Sequence, residues 1–249
     1  MMSFLPPGVS TYSGQIDSLF YLIYYITTAT FFAVQITLLV FAFRYRYNPN
    51  RRATYTHGNT TLEIIWTVVP AVMLAILAVM SRTTWADIKW RQPPSDFNLI
   101  VSAKQFNWEI AYPGPDGKLG TDDDVSFDND LHVPVNKTIR ISLRSKDVIH
   151  SFFVPSFRLK QDAVPGRDIP VWFKATKAGK YELPCAELCG FGHSGMRGWI
   201  YVHTPDEYAK WAAENLRAEA APAAAPEEKK AEETKPAPPA AAKGGKAKR

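Results

Sequence analysis

The amino-acid sequence predicts a hairpin of two membrane-spanning helices, followed by an all-β sandwich and a disordered C-terminal tail. The hairpin is predicted by two apolar runs without a charged residue, at residues 19–43 and 64–81. The sandwich is predicted by short β-rich runs between residues 82 and 217, which Gly, Pro and Asp turns separate. The tail is predicted because no large apolar side chain follows residue 218, so nothing offsets the entropy of ordering the chain.

Both apolar runs are suited to cross a bilayer, whose hydrocarbon core needs about 20 apolar residues in a helix. A buried helix of a soluble protein would show polar residues at helical spacing, and residues 19–43 show almost none. A cleaved signal peptide would begin with basic residues, whereas residues 1–18 hold Asp17 and no Lys or Arg. We therefore expect an extracytoplasmic segment at 1–18 and a membrane-spanning hairpin at 19–81.

The charged residues orient this hairpin. The connecting loop 44–62 carries four arginines and no acid, and short loops rich in Arg and Lys stay on the cytoplasmic side. Both ends of the hairpin, and all residues after 81, are therefore expected outside the cytoplasm. The net charge of +5 resides in this loop and in the tail, because basic and acidic residues balance between 63 and 217. That balance excludes a basic face for nucleic acid.

Residues 82–217 are the part of the chain expected to form a globular domain. A short helix is predicted at its end, over residues 205–220, because Thr204 is suited to the N-cap and Pro205 to the first helical position. The tail then covers residues 218–249.

The stretch "PCAELCGFGHSGMRG", residues 184–198, holds both cysteines of the chain. A disulfide between Cys185 and Cys189 is the simplest alternative in an exported domain. Together with His193 and Met196, however, the two thiols form a soft set of ligands that selects copper, whereas a thioether is a poor ligand for zinc. A mononuclear blue-copper site uses one Cys, so two cysteines indicate two bridged metals, each of which needs a histidine.

A second histidine must therefore come from elsewhere in the chain. His57 lies in the cytoplasmic loop and is excluded by topology. His132 and His203 lie in strand-like stretches without a nearby soft ligand, and we interpret them as surface or packing residues. His150, in "KDVIHSFFVPSF", follows an apolar strand and is the best second ligand.

Over residues 8–217 the sequence resembles subunit II of the haem–copper cytochrome c oxidases, of the bacterial type. The resemblance is carried by "LEIIWTVVPA", "DVIHSFFVPSFRLKQDAVPGR" and "CAELCGFGHSGMRG". It implies a cupredoxin-like sandwich with a binuclear copper A centre. Glu187 would give its backbone carbonyl to copper, and its carboxylate would reach a magnesium ion shared with subunit I. The side-chain ligands implied are His150, Cys185, Cys189, His193 and Met196.

The resemblance also implies a function. Such a chain accepts electrons from cytochrome c and passes them to haem in subunit I, which reduces oxygen and pumps protons; this chain performs no oxygen chemistry itself. The expected partners are subunits I and III, a cytochrome c-like donor and the lipid bilayer. The expected location is the bacterial inner membrane, with the copper domain on the periplasmic side.

Three further positions are candidates by resemblance. Glu63 opens the second apolar run, where an acid is either solvated at the interface or, as in the family, lies at the mouth of a proton channel into subunit I. In "AKQFNWEIAYPG", Phe106 occupies the place where many family members have the tryptophan proposed to receive electrons. Trp108 is the second candidate for that role, or else a core aromatic.

An acidic run lies in the middle of the domain. It is interpreted as a solvated turn, with docking of a lysine-rich cytochrome c as the alternative; its spacing does not match an EF-hand. The run comprises Asp122, Asp123, Asp124, Asp128 and Asp130.

Other functions remain open on the sequence alone. A nitric oxide or nitrous oxide reductase can carry a copper A centre, although the hairpin with Glu63 favours the oxidase. A quinol oxidase subunit would lack the copper ligands, and a membrane-tethered copper carrier would hold copper loosely and need no partner subunit. The chain has no C-x-x-C-H motif for covalent haem, which indicates a separate electron donor.

Overall fold

A computed structural model describes residues 4–216 of the 249-residue chain. The predicted tail, residues 218–249, and the end of the predicted closing helix beyond residue 216 lie outside the described residues.

Two long helices open the structure. The first, α1 (Ser13–Arg44), and the second, α2 (Thr60–Trp85), contain the two apolar runs and extend beyond them at both ends. A π-helical turn, Ala86–Trp90, continues α2. None of the residues in the most apolar stretch of either helix is buried within the structure. Such helices need lipid or partner protein around them, as the predicted hairpin requires.

The second helix begins at a well-formed cap. The side chain of Asn59 accepts a hydrogen bond from the backbone N–H of Leu62 at 3.1 Å. Glu63 follows in the first turn, where a carboxylate is favoured by the helix dipole.

Ten strands follow the helices and form three sheets. The strands are β1 (Phe97–Lys104), β2 (Asn107–Tyr112), β3 (Val125–Asp128), β4 (Asp130–Pro134), β5 (Thr138–Ser145), β6 (His150–Val154), β7 (Leu159–Ala163), β8 (Ile169–Lys174), β9 (Gly179–Pro184) and β10 (Arg197–His203). A five-stranded sheet has the order β3-β2-β1-β5-β8, a three-stranded sheet has the order β4-β10-β9, and β6 pairs with β7 in a hairpin.

The core lies between the sheets. Along β2 the residues alternate between buried and partly exposed, so that Trp108, Ile110 and Tyr112 all point inward. The parallel pair β1 and β5 contributes further buried aliphatic side chains, including Val101 and Ile141. This arrangement confirms the predicted order of a helical hairpin and a β-sandwich.

The closing helix, α3 (Pro205–Asn215), begins where the sequence predicts. Its cap is formed by the carboxylate of Glu207, which accepts hydrogen bonds from the backbone N–H of Thr204 at 2.9 Å and from the Thr204 hydroxyl at 2.8 Å. Its Trp211 packs against the outer face of the sheet that contains β4 and β10.

The sandwich is fastened to the start of α1 by a partly buried ion pair. The Arg158 guanidinium donates to both carboxylate oxygens of Asp17, at 2.6 and 3.1 Å, and to the backbone carbonyls of Pro6 and Pro155. The end of α2 is held as well, because the Trp172 indole donates to the carbonyl of Ile88 at 2.6 Å.

Candidate metal centre

Both cysteines lie in the loop between β9 and β10 and neither forms a disulfide. Their Sγ atoms are 3.9 Å apart, nearly twice the length of a disulfide bond. Backbone hydrogen bonds fix both ends of this loop. The N–H of Cys185 donates to the carbonyl of Met196, and the N–H of His193 donates to the carbonyl of Gly190.

His150 reaches the two thiols from the first position of β6. An isolated β-bridge between Phe152 and Cys185 aligns this strand with the loop, and the N–H of Ala186 donates to the carbonyl of Ser151. As a result His150 Nδ1 lies 3.9 Å from Cys185 Sγ, and the His150 side chain is fully buried. The structure therefore joins a residue 35 positions upstream to the cysteine loop.

The remaining candidate ligands surround Cys189. His193 Nδ1 lies 3.6 Å from Cys189 Sγ, and Met196 Sδ lies 3.9 Å from the same sulfur. The backbone carbonyl of Glu187 lies 3.3 Å from Cys185 Sγ, while the Glu187 side chain is exposed. Two thiols, two imidazoles, a thioether and a carbonyl thus converge on one small volume.

Asp147 determines which nitrogen of His150 faces the thiols. Its Oδ1 lies 2.8 Å from His150 Nε2, which assigns the Nε2 proton to this hydrogen bond and leaves Nδ1 free as a ligand atom. Asp147 also accepts the backbone N–H groups of Gln105 and Val148, each at 2.6 Å. Burial opposes ionisation of this carboxyl, but these three hydrogen bonds lower the pKa of Asp147 below its usual value.

The loop before β2 braces the cysteine loop from the other side. The Gln105 side chain donates to the carbonyl of Cys189 at 2.6 Å, and the ring of Phe106 lies against Gly190 and Gly192. A Cβ atom at Gly190 would lie 2.7 Å from Gln105 Nε2, and the backbone there has φ +135°, so only glycine fits. The aromatic ring at position 106 therefore leaves room for a glycine, and for no larger residue, at positions 190 and 192.

The two aromatic candidates for receiving electrons differ in accessibility. Phe106 is 38% exposed and touches the cysteine loop, whereas Trp108 is fully buried. The Trp108 ring stands edge-on to the His150 ring, with centroids 6.2 Å apart. Trp108 is therefore a core aromatic that packs behind the ligand side chains.

The donor set fits a pair of soft metal ions. All of its side-chain donors are sulfur or imidazole nitrogen, the set preferred by copper. Burial, and then the neighbouring Cys185, raises the pKa of Cys189 to about 11. Two adjacent thiolates at these buried positions are stable only when positive charge lies beside them, and bound metal ions would supply that positive charge.

The other histidines lie apart from this cluster. His132 Nδ1 and His203 Nε2 are 2.9 Å apart, and the His132 ring stacks on Tyr201 and Trp211. They are packing residues, as the sequence predicts. His57 lies in the loop between the helices, with its ring against Tyr55.

The acidic run is spread over three places: Asp122, Asp123 and Asp124 lie in the loop before β3, Asp128 ends β3 opposite Glu109, and Asp130 begins β4. Asp123 accepts hydrogen bonds from the Thr121 hydroxyl and the Asp116 N–H, and Asp124 accepts one from the Gly120 N–H, so the segment forms a turn held by its own side chains. This turn leads into β3 opposite Tyr112, which is the last residue of β2, whereas Phe106 lies just before the first residue of β2. At about 3.4 Å per residue, roughly 20 Å of strand separates the turn from the cysteine loop.

Sequence reasoning missed two residues of this site, Asp147 and Gln105. A signal for Asp147 was present, since it stands three residues before His150 at the turn into β6. Gln105 had no such signal, because its contact with Cys189 spans 84 residues.

Known proteins resemble this chain over both the helical hairpin and the sandwich. Two family descriptions match the chain: "Cytochrome C oxidase subunit II, transmembrane domain" over residues 1–83 and "Cytochrome C oxidase subunit II, periplasmic domain" over residues 104–202. Cytochrome c oxidase subunit 2 of Thermostichus vulcanus is 32% identical, covering 88% of this chain and 80% of its own length. The alternative cytochrome c oxidase subunit 2 of Bradyrhizobium diazoefficiens is 31% identical, with 82% and 81% covered.

Among solved structures, the periplasmic domain of cytochrome oxidase subunit II of Bradyrhizobium japonicum is 36% identical, with a TM-score of 0.45 over 50% of this chain and 96% of that one. The two family matches together cover most of the sequence and include both the hairpin and the cysteine loop. The chain belongs to the cytochrome c oxidase subunit II family.

Proposed function

We propose that this chain is the electron-transfer subunit of a cytochrome c oxidase. It accepts electrons from a cytochrome c-like donor at a binuclear copper A centre and passes them to haem in subunit I, where oxygen is reduced and protons are pumped. The observation that carries the proposal is the convergence of two free thiols with the Nδ1 atoms of two histidines and a thioether sulfur.

Six residues would hold the metal ions. The two thiolates, the two imidazoles through Nδ1, and the weaker thioether and carbonyl donors would hold them. When bound, the pair of copper ions would supply one-electron redox chemistry. The proposed ligands are His150, Cys185, Glu187 through its carbonyl, Cys189, His193 and Met196.

The protein keeps this set of donors in one geometry. An electron-transfer site works best when its ligands move little between redox states. Asp147 fixes the imidazole of His150, and Gln105 anchors the carbonyl of Cys189. The hydrogen bonds from Cys185 to Met196 and from Ala186 to Ser151 hold the loop to the strands beside it.

Phe106 is the better candidate for the surface where electrons arrive. Of the two candidates, Phe106 is both accessible and in contact with the cysteine loop, whereas Trp108 has no exposed surface. We assign Trp108 a supporting role through its edge-on packing against His150.

The membrane and partner contacts follow the same proposal. The hairpin would cross the bacterial inner membrane with loop 44–62 in the cytoplasm and the sandwich in the periplasm. The exposed carboxylate of Glu187 would share a magnesium ion with subunit I. Glu63, in the first turn of α2, would lie at the mouth of a proton channel into subunit I, and subunit III would complete the complex.

The experiment measures electron uptake by the purified oxidase complex. In a His150→Asn variant we expect oxidation of reduced cytochrome c to fall by at least a hundredfold, while a small chemical reductant that reaches haem directly still supports oxygen consumption. The control His132→Asn, outside the cluster, should keep the unmodified rate. An unchanged rate in His150→Asn would refute the proposal. Preferred turnover of nitric oxide over oxygen would instead assign the chain to a reductase.

A further inference from the structure

A cavity of about 260 Å³ lies where the outer ends of the two helices meet the sandwich. Its walls come from the first turns of α1, from the end of α2 with the π-helical turn, and from the start of β7. The apolar part of the wall includes Ile16, Leu19, Trp85 and Ile88. The cavity is thus shared by the membrane hairpin and the domain above it, and it is separate from the cysteine loop.

Three cations line this cavity and no acid does: Lys89, Arg158 and Lys160. Arg158 is paired with Asp17, and Lys160 with Asp162 at 3.1 Å, and neither acid is among the lining residues. Lys89 contacts the neutral amide of Gln161 at 2.5 Å, and no carboxylate within the described residues pairs with it. The Lys89 ammonium also lies 5.8 Å from the centroid of the Trp85 ring, but both of these neighbours are uncharged, so an anion in the cavity would stabilise the partly buried charge.

The depth of the cavity in the membrane indicates the kind of anion. The apolar run of α2 ends at residue 81, and the residues up to Trp90 combine hydroxyl groups, tryptophans and charged side chains, the composition of a membrane–water interface. The exposed rings of Trp85 and Trp90 fit an aromatic belt at this level. Basic pockets between membrane helices bind lipid headgroups on the cytoplasmic side, and a lipid phosphate in the opposite leaflet carries the same charge.

We propose that this cavity binds the phosphate of one glycerophospholipid from the periplasmic leaflet. The Lys89 ammonium would donate to a phosphate oxygen, with the hydroxyl of Ser81 as a further donor. The first part of an acyl chain would run over Leu19 and Ile16 toward the bilayer. A soluble phosphate ester would leave this apolar wall uncovered, so the wall favours the lipid over a free phosphate.

The first test counts the lipids retained by the complete oxidase complex. The complex is delipidated, titrated with dioleoyl-phosphatidylglycerol and analysed by native mass spectrometry. We expect one retained lipid per copy of this chain. The Lys89→Gln variant should need roughly five times more lipid for half-occupancy, the factor for losing one interfacial Lys contact. Lys89→Arg, which keeps the charge, should bind as the unmodified chain does.

Arg91→Gln is the matched control, because Arg91 lies two residues away, pairs with Asp87 at 2.8 Å and does not line the cavity. It should leave lipid retention unchanged. Equal retention in the Lys89→Gln and unmodified complexes would overturn the proposal, as would an equal loss in Arg91→Gln.

The second test locates the lipid. A phosphatidylglycerol with a photoactivatable diazirine in its acyl chain should label peptides that contain residues 16–19 or 81–88. Absence of label there would show that a partner subunit fills the cavity, and would overturn the proposal. Displacement of the label by millimolar glycerol phosphate would assign the site to a soluble phosphate ester instead.

Discussion

At the scale of single residues, the candidate centre depends on groups that orient the ligands as much as on the ligands themselves. The spacing of Cys185, Cys189, His193 and Met196 is local, so the sequence was sufficient to predict a soft metal site. His150 could be identified by excluding the other histidines. Asp147 and Gln105 became visible only in the structure, because their role is defined by hydrogen bonds to the backbone and ring of distant residues.

Replacing Asp147 by Ala should weaken copper binding without removing a proposed copper ligand. The change frees the Nε2 atom of His150 and leaves the N–H groups of Gln105 and Val148 without their acceptor. We expect copper affinity to fall about 10- to 100-fold, the usual cost of losing such a partner. Competition with a copper chelator measures it, with Asp168→Ala, from an exposed ion pair with Arg144, as the control. Equal affinity in the two variants would contradict the role given to Asp147.

At the scale of elements, the sequence predicted strands and helices where alternation or apolar runs were clear. It did not predict β7, "LKQDA", because this strand carries charges on its outward face and is defined by pairing with β6. It also did not predict how the sandwich joins the hairpin. The ion pair of Arg158 with Asp17 joins residues 141 positions apart, and no local pattern encodes it.

Removing this ion pair should release the start of α1 from the sandwich. In an Arg158→Met variant the carboxylate of Asp17 loses two charge-assisted hydrogen bonds, worth about 1.5 kcal/mol or more. Amide exchange should then become about tenfold faster at Val9, whose N–H donates to the carbonyl of Ser156. Exchange within β10 is the internal reference. Unchanged protection at Val9 would show that the remaining contacts hold the segment without the ion pair.

The helix α3 should loosen in mild acid. Burial, and then the charge of His203, lowers the pKa of His132 to about 4 from its ordinary value of 6.5. Between these values an unfolded chain takes up a proton that the packed ring refuses, so stability is complete above pH 6.5 and is lost as the pH falls toward 4. The other titratable groups facing the pair are Tyr112, Tyr201, Tyr208 and Glu207.

Amide exchange across Pro205–Asn215 at pH 7 and pH 5, corrected for the intrinsic rates, measures this loosening. A His132→Phe variant keeps a ring against Trp211 and cannot be protonated, so its α3 should lose less protection at pH 5. An equal loss in both proteins would place the pH sensitivity elsewhere.

At the scale of the whole molecule, the sandwich separates the acidic turn at residues 122–124 from the cysteine loop. The turn before β3 and the loop around Phe106 lie at opposite ends of β2. The sequence alone left docking by this acidic run open, because distance in space cannot be read from a run of charges. The register of β2 and β3 supports the interpretation as a solvated turn for residues 122–124, whereas Asp128, opposite Glu109, lies toward the Phe106 end of β2.

Reversing the charge at Asp122 should therefore not change the rate at which the complex oxidises its electron donor. Asp122 is exposed and lies in this turn, so Asp122→Lys changes the local charge by two units about 20 Å from the site. Beyond a Debye length of about 10 Å at 0.1 M salt such a change is largely screened. Stopped-flow oxidation of reduced cytochrome c should give the same rate and salt dependence as the unmodified complex. A severalfold slower rate would assign the acidic turn to docking.

The central claim is that Cys185 and Cys189 bridge two copper ions, with His150 and His193 at either end. Electron paramagnetic resonance of the partly oxidised complex tests it most directly. The account predicts a mixed-valence signal in which one unpaired electron is shared equally by two copper nuclei; the signal should be lost in His150→Asn and kept in His132→Asn. A spectrum in which the electron resides on one copper nucleus, as in a mononuclear blue-copper site, would contradict the account.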